Sequence, residues 1–442
     1  LTHKSCGLLL DMGLGKTVCT LSAIRILIDH LDIQRALVIA PKKVAETTWA
    51  QECQKWDHLK DLRTSTVMGP EAQRMKALET EADIYVTSRD NVAWLVSLYD
   101  RRRHPWPFDM VVLDELSSFK NAQSHRFRAL RSMRPDMWRI VGLTGTPAPN
   151  GLIDLWPQIY LLDQGERLGR TLGAFRTTYF TPGRGNGHIV YDYRLRPGAD
   201  KAISAAISDI CISMKAADYL TLPERIDKVQ EVQLPQAVRQ GYEDFERTEL
   251  TRMDGEEIEA SSAAALSVKL RQWANGALYD EARGVHRIHD EKVAALREIM
   301  EAAGSPVLVF YQFRHDADRI LQALAAYEPQ LFTGGAETLE AWNAGRIPLL
   351  LAHPASTAYG LNMQAGGHIC VWYGVDWNLE LYQQANARLH RQGQQHPVTI
   401  IHLVAKGTID EDIMKALQGK RATQDALLAA VKARIAKYIN AS

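Results

Sequence analysis

Short apolar runs spaced along the chain constrain its fold more than any other feature. Residues 7–10, 36–40, 84–87, 110–113 and 140–143 are apolar or nearly so and too short to be buried helices, while the stretches between them, such as 18–31 and 43–55, carry helical spacing. A strand apolar on both faces must be covered on both faces, which is the situation in a parallel sheet whose crossovers are helices. The first third is therefore expected to be α/β, built on the βαβ rhythm of a doubly wound sheet. Apolar runs resume at 307–311, 349–352, 369–373 and 398–404, which predicts a second α/β lobe. From about 151 to 290 the pattern changes to long polar and amphipathic stretches. Within them, the acidic segment 231–259 reads as a solvated helical excursion.

Composition excludes several classes. With 52 Lys and Arg against 52 Asp and Glu, no overall excess points to nucleic acid or to an acidic, solvating chain, so any nucleic-acid site must be local. The five cysteines lie far apart, which suggests neither a zinc ribbon nor a disulfide framework and fits a reducing, intracellular setting. The fourteen histidines show no ligand spacing, and no metal is expected beyond one bound with nucleotide. The longest uncharged stretch, 347–375, is broken by prolines, glycines and polar residues that a bilayer-spanning helix would not tolerate. No signal peptide is visible, and because the chain opens on Leu1, its true start is expected to lie upstream.

The run 7–10 leads into Asp11, Met12, Gly13, Leu14, Gly15, Lys16 and Thr17 and then into a helical stretch. Strand, glycine loop, Lys-Thr and helix start form a cradle for a triphosphate. Gly13 and Gly15 let backbone N–H groups face phosphate oxygens, Lys16 reaches the β and γ phosphates, and the Thr17 hydroxyl ligates magnesium. Leu10 stands where the usual pattern has its first glycine. Farther on, the run 110–113 ends in Asp114 and Glu115, two carboxylates at the carboxyl end of a buried strand. That pairing suits Asp114 to hold magnesium and Glu115 to orient and deprotonate an attacking water.

The run 140–143 ends in Thr144, Gly145, Thr146 and Pro147, which alone would read as a simple turn. If 383–394 is helical, Gln384, Arg388 and Arg391 share one face at i, i+4 and i+7. Such a face would let Gln384 position water or ribose-phosphate groups and let two guanidiniums neutralise charge on a γ-phosphoryl group; a solvated arginine face is the alternative. Arg101, Arg102 and Arg103 form a basic run that reads mainly as a solvated loop. Trp377 reads as core, and the terminal pattern Leu427, Leu428, Val431, Ile435, Tyr438 and Ile439 as a docking helix.

In this order the motifs resemble the helicase superfamily two ATPases, and more narrowly the Swi/Snf-type double-stranded DNA translocases in a small bacterial or phage form. Residues 11–17 are similar to the family's motif I, Ala40 to Lys43 with Trp49 and Trp56 to motif Ia, and Thr87, Ser88 and Arg89 to motif Ib. Asp114 to Ser117 stands at the Asp-Glu-x-His box, followed by Lys120 and Asn121. Leu143 to Pro147 is similar to motif III, Val309 to Tyr311 with Phe313 lies where motif IV falls, 356–362 resembles motif V, and 384–394 is the most specific match. Phe175 to Phe180, Leu222 with Pro223, and Leu270 to Gln272 are similar to the helical protrusions of this family. Ser117 replaces the usual His, which puts coupling in doubt more than hydrolysis, and Ala358 and Tyr359 stand where the family prefers glycines. The adenine-recognising glutamine upstream of motif I is not in the chain, and no histone-reading, zinc-finger or nuclease module accompanies the motifs.

The resemblance implies two RecA-like lobes, each a mostly parallel sheet flanked by helices, with helical insertions. Its domains would be an ATP-binding lobe at 1–150, a helical protrusion and linker at 151–222, and a second lobe at 223–442 with an insertion at about 236–288. It further implies an ATP-hydrolysing, magnesium-dependent, monomeric motor on DNA, duplex favoured, in the cytoplasm of a bacterium or phage-infected host, away from membranes and with unknown recruiting partners. Lys16, Thr17, Asp114 and Glu115 would meet ATP from one lobe and Arg388 and Arg391 from the other. Lys42, Lys43, Ser88, Arg89, Ser356 and Thr357 would contact nucleic-acid phosphates, and Thr144 and Thr146 would couple the sites. Three alternatives stay open: a strand-separating helicase on DNA or RNA, a ring ATPase acting on protein, and a DNA-binding accessory protein with an inactive ATPase.

Overall fold

The computed structural model describes all residues except 12, 100–103, 146, 149–150, 184, 187–188, 191–192, 215–217, 219–221, 252–259, 281, 358–360, 420–425, 428, 431–432 and 435–442. Statements of absence below concern the described residues. Met12, the basic run 101–103, Thr146, Ala358 with Tyr359 and most of the terminal pattern lie outside them. The chain divides into two compact units, Leu1–Leu220 and Thr221–Ser442.

In the first unit, β1 (Ser5–Leu10), β2 (Ala36–Ala40), β3 (Thr64–Val67), β4 (Ile84–Ser88), β5 (Met110–Asp114) and β6 (Arg139–Thr144) alternate with α1 (Lys16–Asp29), α2 (Trp49–Lys55), α3 (Glu71–Glu79), α4 (Val92–Leu98) and α5 (His125–Met133). After β6 come α6 (Leu155–Asp163), α7 (Leu172–Tyr179), the short strands β7 (Phe180–Pro182), β8 (Gly185–Asn186), β9 (Ile189–Val190) and β10 (Tyr193–Leu195), then α8 (Ala199–Ile207) and β11 (Cys211–Met214). Seven strands form one parallel sheet in the order β11-β1-β6-β5-β2-β4-β3. All five residues of β2 are buried, as the doubly covered reading requires.

Two strands of this seven-stranded sheet escaped the apolar-run reading, β3 and β11. Both lie at sheet edges, where one neighbour suffices and Thr, Ser or half-exposed positions replace a continuous apolar run. The first unit also corrects the expected boundary at 150, because part of the presumed protrusion and linker at 151–222 belongs to this lobe. Leu155, Trp156, Ile159, Leu161 and Leu162 of α6 join its core, and β11 pairs with β1. Buried Arg134 ties α6 down by donating to the Leu161, Leu162 and Met137 carbonyls, two of which end the helix and lack intrahelical donors.

The second unit begins with β12 (Arg225–Val232) and the inserted α9 (Gln236–Thr251), α10 (Ala260–Asn275), β13 (Ala277–Tyr279) and β14 (Val285–Arg287). It continues through α11 (Glu291–Ala303), β15 (Val307–Phe310), α12 (Arg314–Ala323), β16 (Gln330–Phe332), α13 (Ala336–Asn343), β17 (Leu349–Ala352), α14 (Pro354–Thr357), β18 (Ile369–Trp372), α15 (Leu379–Asn386), β19 (Val398–Ala405) and α16 (Ile409–Gln418). Six strands form a second all-parallel sheet, ordered β12-β19-β18-β15-β17-β16. β12 and β16 are its edges, and the charged sequence of β12 explains why no apolar run announced it. No helix is long and apolar enough to cross a membrane.

The acidic segment is helical through α9, but one face is buried rather than solvated. Tyr242 joins the core, and buried Glu246 pairs with Arg434 at 2.6 Å. Trp377 is core, as expected, with its indole N–H donating to Ser267 Oγ at 2.9 Å.

A buried polar node fastens the insertion to the sheet. Asn275, the last residue of α10, donates to Asp316 Oδ2 (2.9 Å) and accepts from Lys292 Nζ (2.7 Å), while its carbonyl accepts from Arg319 and from the Tyr373 hydroxyl. Lys292 also pairs with Asp410 at 2.6 Å, the two side chains being 0% and 1% exposed. Beside the node His289 Nε2 faces the Trp273 carbonyl at 3.1 Å. Burial, reinforced by the Lys292 charge, pushes its pKa from 6.5 down to about 4.

Two outcomes are expected. Lys292→Ala leaves Asp410 buried without its cation and should cost about 3–5 kcal/mol, read by urea unfolding, whereas Lys292→Met with Asp410→Leu should recover much of that loss. For His289, the unfolded chain takes up a proton near pH 6.5 that the folded unit refuses until about 4. Stability is therefore full above pH 6.5 and lost as pH falls toward 4, by about 3 kcal/mol; His289→Gln should flatten that part of the pH profile.

Candidate active site

Parallel strands send every connecting loop off their carboxyl ends to the same edge. Because β1, β6, β5 and β2 are consecutive neighbours, Asp11 and residues 13–17, Thr144, Asp114 with Glu115, and Lys42 with Lys43 all lie along that edge of the first sheet.

The loop after β1 has the backbone that its glycines permit. Gly13 and Gly15 have φ of 85° and 73°, in the left-handed region, and a Cβ on Gly15 would meet the Val18 side chain at 3.4 Å. Gly15 is the N-cap of α1, and neither a capping side chain nor a first-turn acid covers that helix start. Lys16 Nζ folds back over the loop and donates to the Leu10 (2.6 Å) and Asp11 (3.0 Å) carbonyls. Uncapped N–H groups, a helix dipole and a lysine over a glycine turn match the donor set that a chain of phosphates needs.

Asp114 closes β5. Its Oδ2 accepts from the Trp49 indole N–H at 3.0 Å and its Oδ1 from the Glu115 backbone N–H at 3.1 Å. Burial pushes the Asp114 carboxyl above its ordinary value, against the pull of the Trp49 indole, the Lys16 ammonium and the Glu115 N–H. A desolvated carboxylate facing a lysine and a phosphate cradle suits a divalent cation shared with phosphate oxygens. Glu115 has φ 54° and ψ 62°, a left-handed conformation that costs a non-glycine residue about 1–3 kcal/mol and recurs at functional positions. Trp49 is the participant that motif reading missed: motif Ia included it, but only the adjacency of β2 and β5 puts its indole on Asp114.

The remaining candidates divide by exposure. Thr17 is half-buried at the start of α1, and Thr144 is buried at the end of β6. The turn beyond Thr144 is held by buried Gln158, whose amide donates to the Pro147 carbonyl. Lys42 is exposed, Lys43 and Arg89 are half-buried, and Ser88 is buried.

In the second unit, half-buried Ser356 and fully buried Thr357 follow β17, and their hydroxyls donate to the His353 and Pro354 carbonyls. Ser88 and Thr357 are thus buried and do not present side chains at the surface. The expected helical face over 384–394 is corrected too. α15 stops at Asn386, whose side chain accepts from the Trp372 indole, and the next residues turn with Arg388 N–H bonded to the Ala385 carbonyl and Leu389 N–H to that of Asn386. Arg388 and Arg391 still converge: each donates to the Leu361 carbonyl at 3.1 Å. Gln384 is buried, its amide donating to Glu380.

The SNF2-related domain matches residues 1–277. The chain is 39% identical over 435 residues to protein p41 of Acyrthosiphon pisum secondary endosymbiont phage 1, covering 95% of this chain and 94% of that protein. It is 25% identical over 438 residues to an uncharacterized ATP-dependent helicase of Mycoplasma pneumoniae (strain ATCC 29342 / M129 / Subtype 1), covering 95% of this chain and 40% of the other. Against the SWI/SNF-related matrix-associated actin-dependent regulator of chromatin subfamily A-like protein 1 of Xenopus tropicalis it is 24% identical over 437 residues, covering 93% and 42%. It therefore spans nearly all of the phage protein but less than half of the other two. With its two parallel, helix-flanked sheets and this family match, the chain belongs to the SNF2-related family of ATP-dependent, helicase-like domains.

Proposed function

We propose that the chain is a DNA-dependent ATPase that couples hydrolysis of ATP to ADP and phosphate to movement along duplex DNA. The observation that carries this reading is the strand order β1-β6-β5-β2, which lines up the phosphate loop, the carboxylate pair and the Lys42–Lys43 helix start along one edge. In this reading Lys16 and the α1 N–H groups hold the triphosphate, Thr17 and Asp114 hold magnesium, and Glu115 orients water and takes its proton. Magnesium, when bound with ATP, supplies positive charge against the phosphate oxygens. Arg388 and Arg391, gathered at the Leu361 carbonyl, would neutralise charge building on the γ-phosphoryl group, with Gln384 positioning their segment.

Lys42 and Lys43, opening a helix, together with Arg89 and Ser356 are the proposed backbone-phosphate contacts, which would make binding independent of sequence and sensitive to salt. Thr144 and Thr146 would transmit between the two ligands. The name of the Mycoplasma relative supports an ATP-driven role, and the phage relative supports a setting in an infected bacterial cell.

The test is steady-state ATP hydrolysis by the chain alone, with single-stranded DNA, and with duplex DNA. Duplex should stimulate most strongly. Glu115→Gln should lower the stimulated rate by about 10²-fold or more and Arg391→Ala by about 10³-fold, both with nucleotide binding retained. Stronger stimulation by single strands would favour a strand-separating helicase instead, and a rate indifferent to nucleic acid would overturn the DNA assignment.

A further inference from the structure

The connection from β2 to Trp49 carries a feature that neither hydrolysis nor DNA binding by itself requires. The chain leaves β2 at the carboxyl edge and enters helix at Lys42 and Lys43, then passes through a π-helical turn, Val44–Thr48, before α2 begins at Trp49. π turns are rare and concentrate at functional places. Each residue such a turn adds displaces the following side chains by about 100° around the helix axis, so the turn decides where Trp49 points. Because β2 hydrogen-bonds to β5, with Ile39 opposite Leu113, this helix starts beside the end of β5. The indole is completely buried and its one polar atom donates to Asp114 Oδ2 at 3.0 Å. Asp114 Oδ1 takes the Glu115 N–H, so the carboxylate is held from both sides, once by the catalytic segment itself and once by the helix that begins with the two lysines.

We propose that Trp49 is a positioning residue: it fixes the carboxylate of Asp114 for magnesium and, through the π-helical turn, links that carboxylate to occupancy of the Lys42–Lys43 helix start by a nucleic-acid phosphate. The link rests on the proposed function; the fixing of Asp114 does not. Movement of the lysine turn against a phosphate rotates or shifts the helix beyond it and carries with it the buried indole whose N–H is bonded to Asp114. Because binding couplings are reciprocal, the same contact lets nucleotide with magnesium change the affinity for the duplex.

The test uses the whole chain and two readouts other than turnover. The first is the magnesium concentration that half-saturates binding of fluorescent mant-ADP, compared among wild type, Trp49→Phe, which keeps an aromatic ring but loses the donor, and Trp156→Phe. Trp156 is a buried tryptophan of the same unit whose indole donates to the Gly169 carbonyl, away from Asp114, so it controls for loss of any buried indole hydrogen bond. Trp49→Phe should raise the magnesium requirement about tenfold, as loss of a partner that orients a metal ligand typically does, with Trp156→Phe unchanged. Equal requirements in all three proteins would overturn the positioning role.

The second readout is the indole ¹H–¹⁵N resonance of Trp49 in protein labelled at tryptophan, identified by its disappearance in Trp49→Phe. Asp114→Asn, which should move the same resonance, identifies it if Trp49→Phe does not fold, and an unmoved indole spectrum in Asp114→Asn would itself overturn the contact. Adding a short duplex without nucleotide should shift the resonance in wild type and leave it in place in Lys42→Ala/Lys43→Ala. A resonance that stays put while the duplex is bound would overturn the link. If wild type binds no duplex at all, it is the proposed function that fails, and the magnesium comparison alone then decides the role of Trp49.

Discussion

Two parallel strands cannot be joined by a tight turn, so each connection crosses back under or over the sheet and every loop leaving a carboxyl end opens on one edge. The site of the first unit depends on this restriction together with the hydrogen-bonded order β1-β6-β5-β2. Segments some hundred residues apart, the glycine loop and the Asp114–Glu115 pair, become neighbours because their strands are separated only by β6. A further step across the sheet brings in β2, and with it Trp49 on Asp114. The left-handed backbone at Glu115 persists against its intrinsic cost because β5 on one side and the buried Leu116 and Phe119 on the other hold the turn.

The second unit places its arginines differently. The turn after α15 lies beside residues that lead into strands, with His390 bonded to the Pro223 carbonyl ahead of β12 and Gln394 donating to the Gly367 carbonyl ahead of β18, and there Arg388 and Arg391 meet at the Leu361 carbonyl. Two guanidiniums directed at one backbone carbonyl are placed by the segment that follows β17, so the arginines and that segment are held as one group. The inserted helices need a separate anchor, and buried Asn275 provides it through hydrogen bonds with α11, α12 and Tyr373, the residue after β18. Such a node tolerates no half measures, since removing either Lys292 or Asp410 leaves the other charge buried without its partner.

The amino-acid sequence by itself determined that there are two α/β lobes, that the central strands fall where unbroken apolar runs fall, and that a glycine loop and a carboxylate pair end two of those strands. These are local properties: doubly covered strands must be apolar on both faces, and a glycine turn before a helix start is specified by the residues that form it. Only the tertiary structure decided the edges, the boundary and the partners. The edge strands β3, β11, β12 and β16 carry polar or mixed residues because a single neighbour satisfies them, which erases their signal. α6 and β11 belong to the first unit because of what they bury against, not because of their own composition. α15 ends at Asn386, whose side chain accepts from the buried Trp372 indole of β18, a long-range contact that no helical spacing could disclose. Trp49 reaches Asp114 only because β2 and β5 are neighbours, and strand order is settled by long-range pairing that leaves no trace in either segment alone.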